Sequence, residues 1–291
     1  MKLVPKDSPD NSRIFDFTAR DFARVRALIY KQAGISLGEG KQEMVYSRLA
    51  RRLRAKGLTS FGTYLDGLES GADSEEWEAF TNALTTNLTS FFREAHHFPI
   101  LFEHLRSAKG SLSVWCSASS TGEEPYSIAM TACEAFGSLT PPVSIIATDI
   151  DTNVLDTAAN GIYTTDRIDK MAPDRVKKFF LRGKGQREGL IRVRPELRKL
   201  ITFKPLNLLA PSWPLGGEFD VIFCRNVMIY FDKPTQSKIL SRFAPLLKPE
   251  GLLFAGHSEN FLHVTDAFKL RGKTVYELDH VRRLSNVRNS A

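Results

Sequence analysis

Apolar residues fall at helical spacing through the first quarter of the chain. In FTARDFARVRALIYKQAG, Phe22, Val25, Leu28 and Ile29 share one face, and Thr18 with Asp21 three residues later has the pattern of a capping box. Gly34 follows where a helix stop belongs. Val45, Leu49 and Leu53 then recur every four residues, with Arg48, Arg51, Arg52 and Arg54 spread over the other side. FGTYLDGL predicts a third helix. SEEWEAFTNAL predicts a fourth, with Ser74 as its N-cap and Trp77, Phe80 and Leu84 inward. No strand pattern interrupts these segments, so residues 14–86 predict a small all-α domain.

The pattern changes after Thr85. SVWCSA, VSIIATDI, KLITFKPLNLL, FDVIFCRN and GLLFAGHSE are apolar on both faces and alternate with helical stretches. Such runs fit strands of a mainly parallel sheet covered by helices. FKLRGKTVYEL alternates like a hairpin and is expected to add an antiparallel edge strand. Residues 87–280 therefore predict a doubly wound, Rossmann-like α/β domain whose ligand lies at the carboxyl ends of its strands. Residues 161–203 break the alternation. There Gly183, Gly185 and Gly189 lie between strand-like segments, predicting an inserted antiparallel β subdomain. The polar stretches 1–13 and 281–291 are expected to be flexible tails.

Composition narrows the class. With 291 residues, 42% hydrophobic and 25% charged, the chain has the profile of a soluble globular protein large enough for two domains. It has no apolar run of 18 residues and no apolar signal core, so a cytoplasmic protein without membrane insertion is expected. Cys116, Cys133 and Cys224 share no C-x-x-C spacing and read as reduced core thiols. The net charge of +7 is concentrated: residues 161–203 hold 12 Lys plus Arg against 5 Asp plus Glu, and the rest of the chain balances. A second basic stretch, Lys41 to Lys56, carries the four arginines of the second helix. No coiled-coil repeat appears, and a monomer is expected.

The strand–turn–helix SVWCSASSTGEEPYSIAM carries the candidate chemistry. Its loop has one glycine, Gly122, where a dinucleotide loop has three, and Glu123 and Glu124 open the helix. Carboxylates there would repel a phosphate, although first-turn acids also complement a helix macrodipole. Asp149, at the end of the second strand and 25 residues after Glu124, suits ribose hydroxyls. Asn207, Arg225 and Asn226 lie at further strand ends. A ligand with ribose hydroxyls, an amino group and a positive centre fits this set, which points to S-adenosylmethionine. In LTTNLTSFFREAHHF, Asn87 and Thr89 alternate as on an extended stretch, and Arg93 is expected early in a helix running through Leu105. His96, His97 and His104 have no Cys, Asp or Glu at ligand spacing to complete a set, so no metal is expected and the histidines read as surface or packing residues.

ALTTNLTSFFREAHHFP, SASSTGEEPYSIAM, ATDIDTNVL, FCRNVMIYFD and GLLFAGHSEN resemble, in that order, the motifs of the CheR-type chemotaxis receptor methyltransferases. The resemblance runs from about Phe17 to Leu278. It implies transfer of a methyl group from S-adenosylmethionine to glutamate side chains of bacterial chemoreceptors, leaving glutamyl methyl esters and S-adenosylhomocysteine. It further implies that Asn87, Thr89 and Arg93 close over the cofactor and that Glu124, with Glu123 in reserve, contacts it. By the same resemblance Asp149 holds the ribose, Asn207 and Leu208 lie near the adenosine, and Arg225 and Asn226 form the strand-end pair. Arg93 and Tyr230 become the candidate catalytic residues, Tyr230 beside the transferring methyl. The arginine face of the second helix (Arg48, Arg51, Arg52, Arg54) is expected to meet acidic receptor helices. The glycine loop with Arg192 resembles the subset that holds a C-terminal receptor tail. A nucleic-acid substrate is not expected: the place of a [DNS]-P-P-[YFW] motif is taken by C-R-N-V-M-I-Y, and Pro141–Pro142 precedes the second strand.

Overall fold

The computed structural model describes residues 14–71 and 73–279; the tails expected at 1–13 and 281–291 lie outside the described residues. Two compact units divide the chain, one of residues 14–32 and 37–84, the other of residues 33–36 and 85–279.

The first unit is helical: α1 (Ala19–Ala33), α2 (Gln42–Ala55), α3 (Phe61–Glu69) and α4 (Ser74–Leu84). The capping box forms as the spacing predicts. Asp21 Oδ2 accepts from the Thr18 N–H at 3.0 Å, and Thr18 Oγ1 accepts from the Asp21 N–H at 3.1 Å. One cap differs from expectation. Ser74 is already helical, and Asp73 caps α4 by accepting from the Glu76 N–H at 2.9 Å. Both residue types cap helices, so composition alone does not separate them. On α2, Val45, Leu49 and Leu53 are buried, while Arg51 and Arg54 are exposed. Arg52 is held in a two-point pair by Glu76, itself 6% exposed and bonded by the Tyr64 hydroxyl at 2.8 Å.

The second unit opens with α5 (His97–Ser107). It then alternates β1 (Leu112–Cys116), α6 (Glu123–Ala135), β2 (Val143–Asp149) and α7 (Thr152–Asn160). After an insert, β6 (Ile201–Pro205), β7 (Phe219–Cys224), α10 (Lys233–Phe243), β8 (Leu247–Ala255), β9 (Phe268–Gly272) and β10 (Val275–Leu278) complete a seven-stranded sheet. Its order is β6-β2-β1-β7-β8-β10-β9, with the first five strands parallel. Alternation splits the core across the sheet: Val114, Val221 and Phe223 join one apolar cluster, and Trp115, Ile222 and Cys224 the other. The C-terminal alternation forms a hairpin, and its first strand, β9, is the expected antiparallel edge. The hairpin's second strand, β10, lies inside the sheet, antiparallel to both β8 and β9.

The insert contains β3 (Ile162–Thr164), α8 (Pro173–Phe179), β4 (Phe180–Arg182), β5 (Leu190–Val193) and α9 (Pro195–Arg198). Its three strands form an antiparallel sheet in the order β3-β5-β4, one strand more than the sequence pattern shows. The loop glycines meet a backbone demand. A Cβ on Gly183 would collide with the Arg187 carbonyl oxygen, and Gly185 and Gly189 have φ of +59° and +81°. Among the described residues, no helix is long and apolar enough to cross a membrane. All three cysteines are free and buried.

Candidate active site

The loop between β1 and α6 is fixed by its neighbours. The Ser117 N–H bonds the Phe223 carbonyl on β7 at 2.9 Å, and the Ser119 N–H bonds that of Thr148 on β2 at 2.8 Å. Gly122 has φ of +99°, and a Cβ there would sit 2.8 Å from both the Ala158 Cβ and the Tyr163 hydroxyl. The single glycine therefore serves close packing of α6 on α7 and β3. Asp149 accepts from the Ser120 N–H at 2.8 Å through Oδ2 and from the Asp151 N–H at 3.0 Å through Oδ1. It is 7% exposed, and burial pushes its carboxyl up to about 6 against those backbone donors.

The two helix-opening acids have different partners. Glu123 is fully buried, pairs with Arg167 of the insert and accepts from the Thr121 hydroxyl at 2.7 Å. Glu124 accepts from Arg225 Nη1 at 2.7 Å and from the Cys116 thiol at 3.3 Å. Burial raises the Glu124 carboxyl above its ordinary value, with Arg225 opposing. Burial also raises the Cys116 thiol, and the Glu124 charge adds to it.

The segment before α5 closes on the same strand ends. Asp151 Oδ2 accepts from the Thr85 hydroxyl at 2.7 Å and from Asn87 Nδ2 at 2.8 Å. The Ser120 hydroxyl bonds the Asn87 carbonyl at 3.1 Å. Thr89 is half-buried, and its carbonyl accepts from Arg167 at 3.4 Å. Arg93 differs from expectation: it lies in an irregular turn with φ of 51° at Phe92 and 54° at Glu94, and the helix starts only at His97. Pro99 supplies the reason, since a proline tolerates only the first helical turn ahead of it. Arg93 Nη1 bonds the Leu88 carbonyl at 2.8 Å, and the Arg93 carbonyl accepts from Arg225 Nη2 at 2.6 Å.

Two family models match successive parts of the chain: "CheR methyltransferase, all-alpha domain" over residues 20–85 and "CheR methyltransferase, SAM binding domain" over residues 87–277. The chain belongs to the CheR methyltransferase family. It is 60% identical over 257 residues to the chemotaxis protein methyltransferase of Klebsiella aerogenes, covering 88% of this chain and 89% of that one. Identity to the Escherichia coli K12 chemotaxis protein methyltransferase is 57%, covering 88% and 90%. Chemotaxis protein methyltransferase 2 of Pseudomonas aeruginosa is 53% identical over 94% of this chain and 99% of its own. The protein is thus an S-adenosylmethionine-dependent methyltransferase of the chemotaxis class.

The side chains present fit that cofactor. Asp149 accepts backbone bonds from Ser120 and Asp151 and, as an ionised carboxylate, has acceptor capacity left for a ribose hydroxyl. Asp149, Asp151, Glu94, Glu123 and Glu124 outnumber Arg93, Arg167 and Arg225 around the loop, which favours a cationic ligand without phosphate. Around β6, Asn207 Oδ1 accepts from the Leu209 N–H at 2.8 Å, and Leu208 is buried with its carbonyl bonded by Arg242 at 3.3 Å. Tyr230 closes a single 3-10 turn after β7 and is half-buried. Glu123 and Glu124 are thereby distinguished: the first belongs to the contact with the insert, the second to the Arg225 network. The α2 arginines lie in the other unit, Gly183, Gly185 and Gly189 lie in the loop between β4 and β5, and Arg192 is on β5.

Several residues escape the sequence reading. Glu259 accepts from the N–H groups of Asn226 at 3.0 Å, Met228 at 2.7 Å and Gly256 at 2.5 Å, shaping the β7 and β8 ends. Asp151, Arg167, His257 and Glu94 also bond into the site. Glu94 is the acid missed beside the histidines: Glu94, His96 and His97 bring potential ligand atoms within 4.8 Å of one another. Both Glu94 oxygens are already engaged by Arg225, Asn226 and His257, so a metal would have to displace these partners. His97 is fully buried against Phe254, and burial first, then the Arg225 charge, lowers its pKa to about 4, leaving a neutral packing histidine.

Proposed function

We propose that the protein methylates glutamate side chains of bacterial chemoreceptors, forming glutamyl methyl esters and releasing S-adenosylhomocysteine. The observation that carries this reading is the tandem family match across both units, together with relatives named chemotaxis protein methyltransferase that cover 88–94% of the chain. The bound cofactor supplies an activated methyl on a positive sulfur. A glutamate with an ordinary pKa of about 4.3 is ionised at pH 7 and attacks the methyl without a general base. With the cofactor bound, its C–S bond would break as the C–O bond formed, the bonding pair would stay on sulfur, and no proton would have to move. The residues of this chain then have to orient and exclude water, work that proximity can reward with roughly 7–11 kcal/mol. Asp149 holds the ribose hydroxyls, Glu124 takes the cationic end, and Asn87 and Thr89 close over it. Arg93 and Tyr230 orient the incoming carboxylate. The enzyme acts in the cytoplasm as a monomer and requires no metal. Tritiated methyl transfer tests the whole reading: alkali-labile label on a receptor supports it, and alkali-stable label or label on RNA overturns it.

Asp149→Ala is expected to weaken S-adenosylmethionine binding by about 1–3 kcal/mol, the range for a lost charge-assisted hydrogen bond. The bond needs an ionised carboxylate. Since burial lifts Asp149 to about 6, wild-type affinity should fall as pH drops through that value. Calorimetry showing an unchanged affinity in the variant would remove Asp149 from the ribose site.

Two surfaces fit the receptor. Arg51 and Arg54 remain exposed on α2 for acidic helices. Arg51→Glu with Arg54→Glu should lower receptor methylation and leave cofactor affinity intact; a wild-type rate at low salt would exclude this face. In the small sheet, β3 and β4 are edges, Ile162 and Leu181 are each 41% exposed, and Arg192 lies on the exposed side of β5. An edge of this kind suits an added strand, and a tethered tail would raise local substrate concentration to the millimolar range. Titration with a C-terminal receptor peptide should shift resonances within 182–199 whether or not cofactor is present. No shift at millimolar peptide would exclude the tether.

A further inference from the structure

We propose that Glu94 is a positioning residue of the methyltransferase site: it locks the 87–93 segment onto the ends of β7 and β8 and aims Arg225 at Glu124. The inference rests on the cofactor assignment above and gives a role to a residue outside it.

Four donors converge on this one carboxylate. Oε1 accepts from Asn226 Nδ2 at 3.1 Å and from His257 Nδ1 at 3.0 Å. Oε2 accepts from the His257 N–H at 3.1 Å and pairs with Arg225 Nη2 at 3.2 Å. The acceptor capacity of an ionised carboxylate is then used in full. Burial works against the charge, yet His257, Arg225 and Asn226 together hold the Glu94 carboxyl down to about 2.

The backbone carries a second, independent mark. Glu94 has φ of 54° and its partner Asn226 has φ of 59°. Left-handed conformations at non-glycine residues persist where the surroundings over-determine them, and they gather at functional sites. Here two such residues are bonded to each other, one in the segment that covers the cofactor loop and one at the end of β7. Between them lies Arg225, 1% exposed, with Nη2 shared by Glu94 and the Arg93 carbonyl and Nη1 on Glu124. The guanidinium therefore has two fixed ends. Removing the Glu94 charge frees one of them, and both the Arg93 turn and the Glu124 carboxylate lose their alignment.

A double-mutant cycle on the full chain tests this, read as S-adenosylmethionine affinity by calorimetry alongside receptor methylation. Glu94→Gln should weaken affinity about tenfold, as one charge-assisted contact is lost. The same change added to Arg225→Gln should cost little more than Arg225→Gln alone, because the two act through one contact. Added to Asp149→Ala it should multiply in full. Unchanged affinity in Glu94→Gln, or full multiplication with Arg225→Gln, overturns the proposal. A purely structural Glu94 would lower the denaturation midpoint and leave the affinity of folded protein at the wild-type value. If Glu94→Gln does not fold, His257→Ala on the exposed side of the cluster decides: a two- to fivefold loss of affinity supports the role, and no loss refutes it. A wild-type protein that binds cofactor but leaves receptors unmethylated would remove the substrate reading and leave this cycle interpretable.

Discussion

Arg225→Met is expected to destabilise the protein by about 3–5 kcal/mol, the usual cost of removing one partner from a buried ionic contact. Arg225 is 1% exposed, and the carboxylates it serves, Glu94 and Glu124, are 10% and 11% exposed. Methionine fills much of the volume, so the loss is electrostatic rather than a cavity. The pH dependence identifies the source. Burial already raises the Glu124 carboxyl above its unfolded value, and without the opposing Arg225 charge it rises further. Such a group stabilises fully below the unfolded pKa, and that stability is lost as pH rises through the folded pKa. The deficit against wild type should therefore be larger at pH 8 than at pH 5 in guanidinium titrations. Equal deficits at the two pH values would mean that the stranded carboxylates are not its cause.

Arg167→Met should cost about 3 kcal/mol, the low end for a buried pair because the Arg167 side chain is 36% exposed and water reaches its outer face. Glu123 is 0% exposed and retains only the Thr121 hydroxyl as a side-chain donor in the variant. Adding Glu123→Gln should recover much of the loss, since a neutral amide needs no counter-charge. Failure of that second change to recover stability would locate the damage in the insert instead. The measurement also bears on how the small sheet is joined to the cofactor loop. Arg167 follows β3 directly, and Tyr163 on β3 donates to the Thr121 carbonyl at 2.6 Å.

Much of this architecture is legible in the sequence because the relevant signals are periodic. Val114, Trp115 and Cys116 read as a strand covered on both sides, and the structure gives their alternate side chains to two cores. Strand ends then place Asp149, Arg225 and Asn226 without further information. Isolated polar residues carry no such period. Glu94 stands beside Arg93 in a stretch that reads as helix until Pro99 is weighed against it. Arg167 disappears into the basic insert, although it is the cation that Glu123 requires. Both depend on partners more than 40 residues away, and local patterning does not report distant pairing. The same limit explains the C-terminal hairpin. Alternation shows two strands and does not say which of them meets β8.

The order of that hairpin bears on how the protein is made. Val275, Tyr276 and Leu278 are at most 1% exposed, so the last strand of the described chain is an interior one. During synthesis, β8 emerges with its outer edge unpaired, and β9 cannot cover it, because β10 must first come between them. A ribosome stalled before residue 275 would hold a nascent chain with a bare parallel-sheet edge, the kind of surface that recruits other strands. The sheet stays open until almost all of the described chain has been translated, and that interval is when the nascent protein most needs shielding from its neighbours.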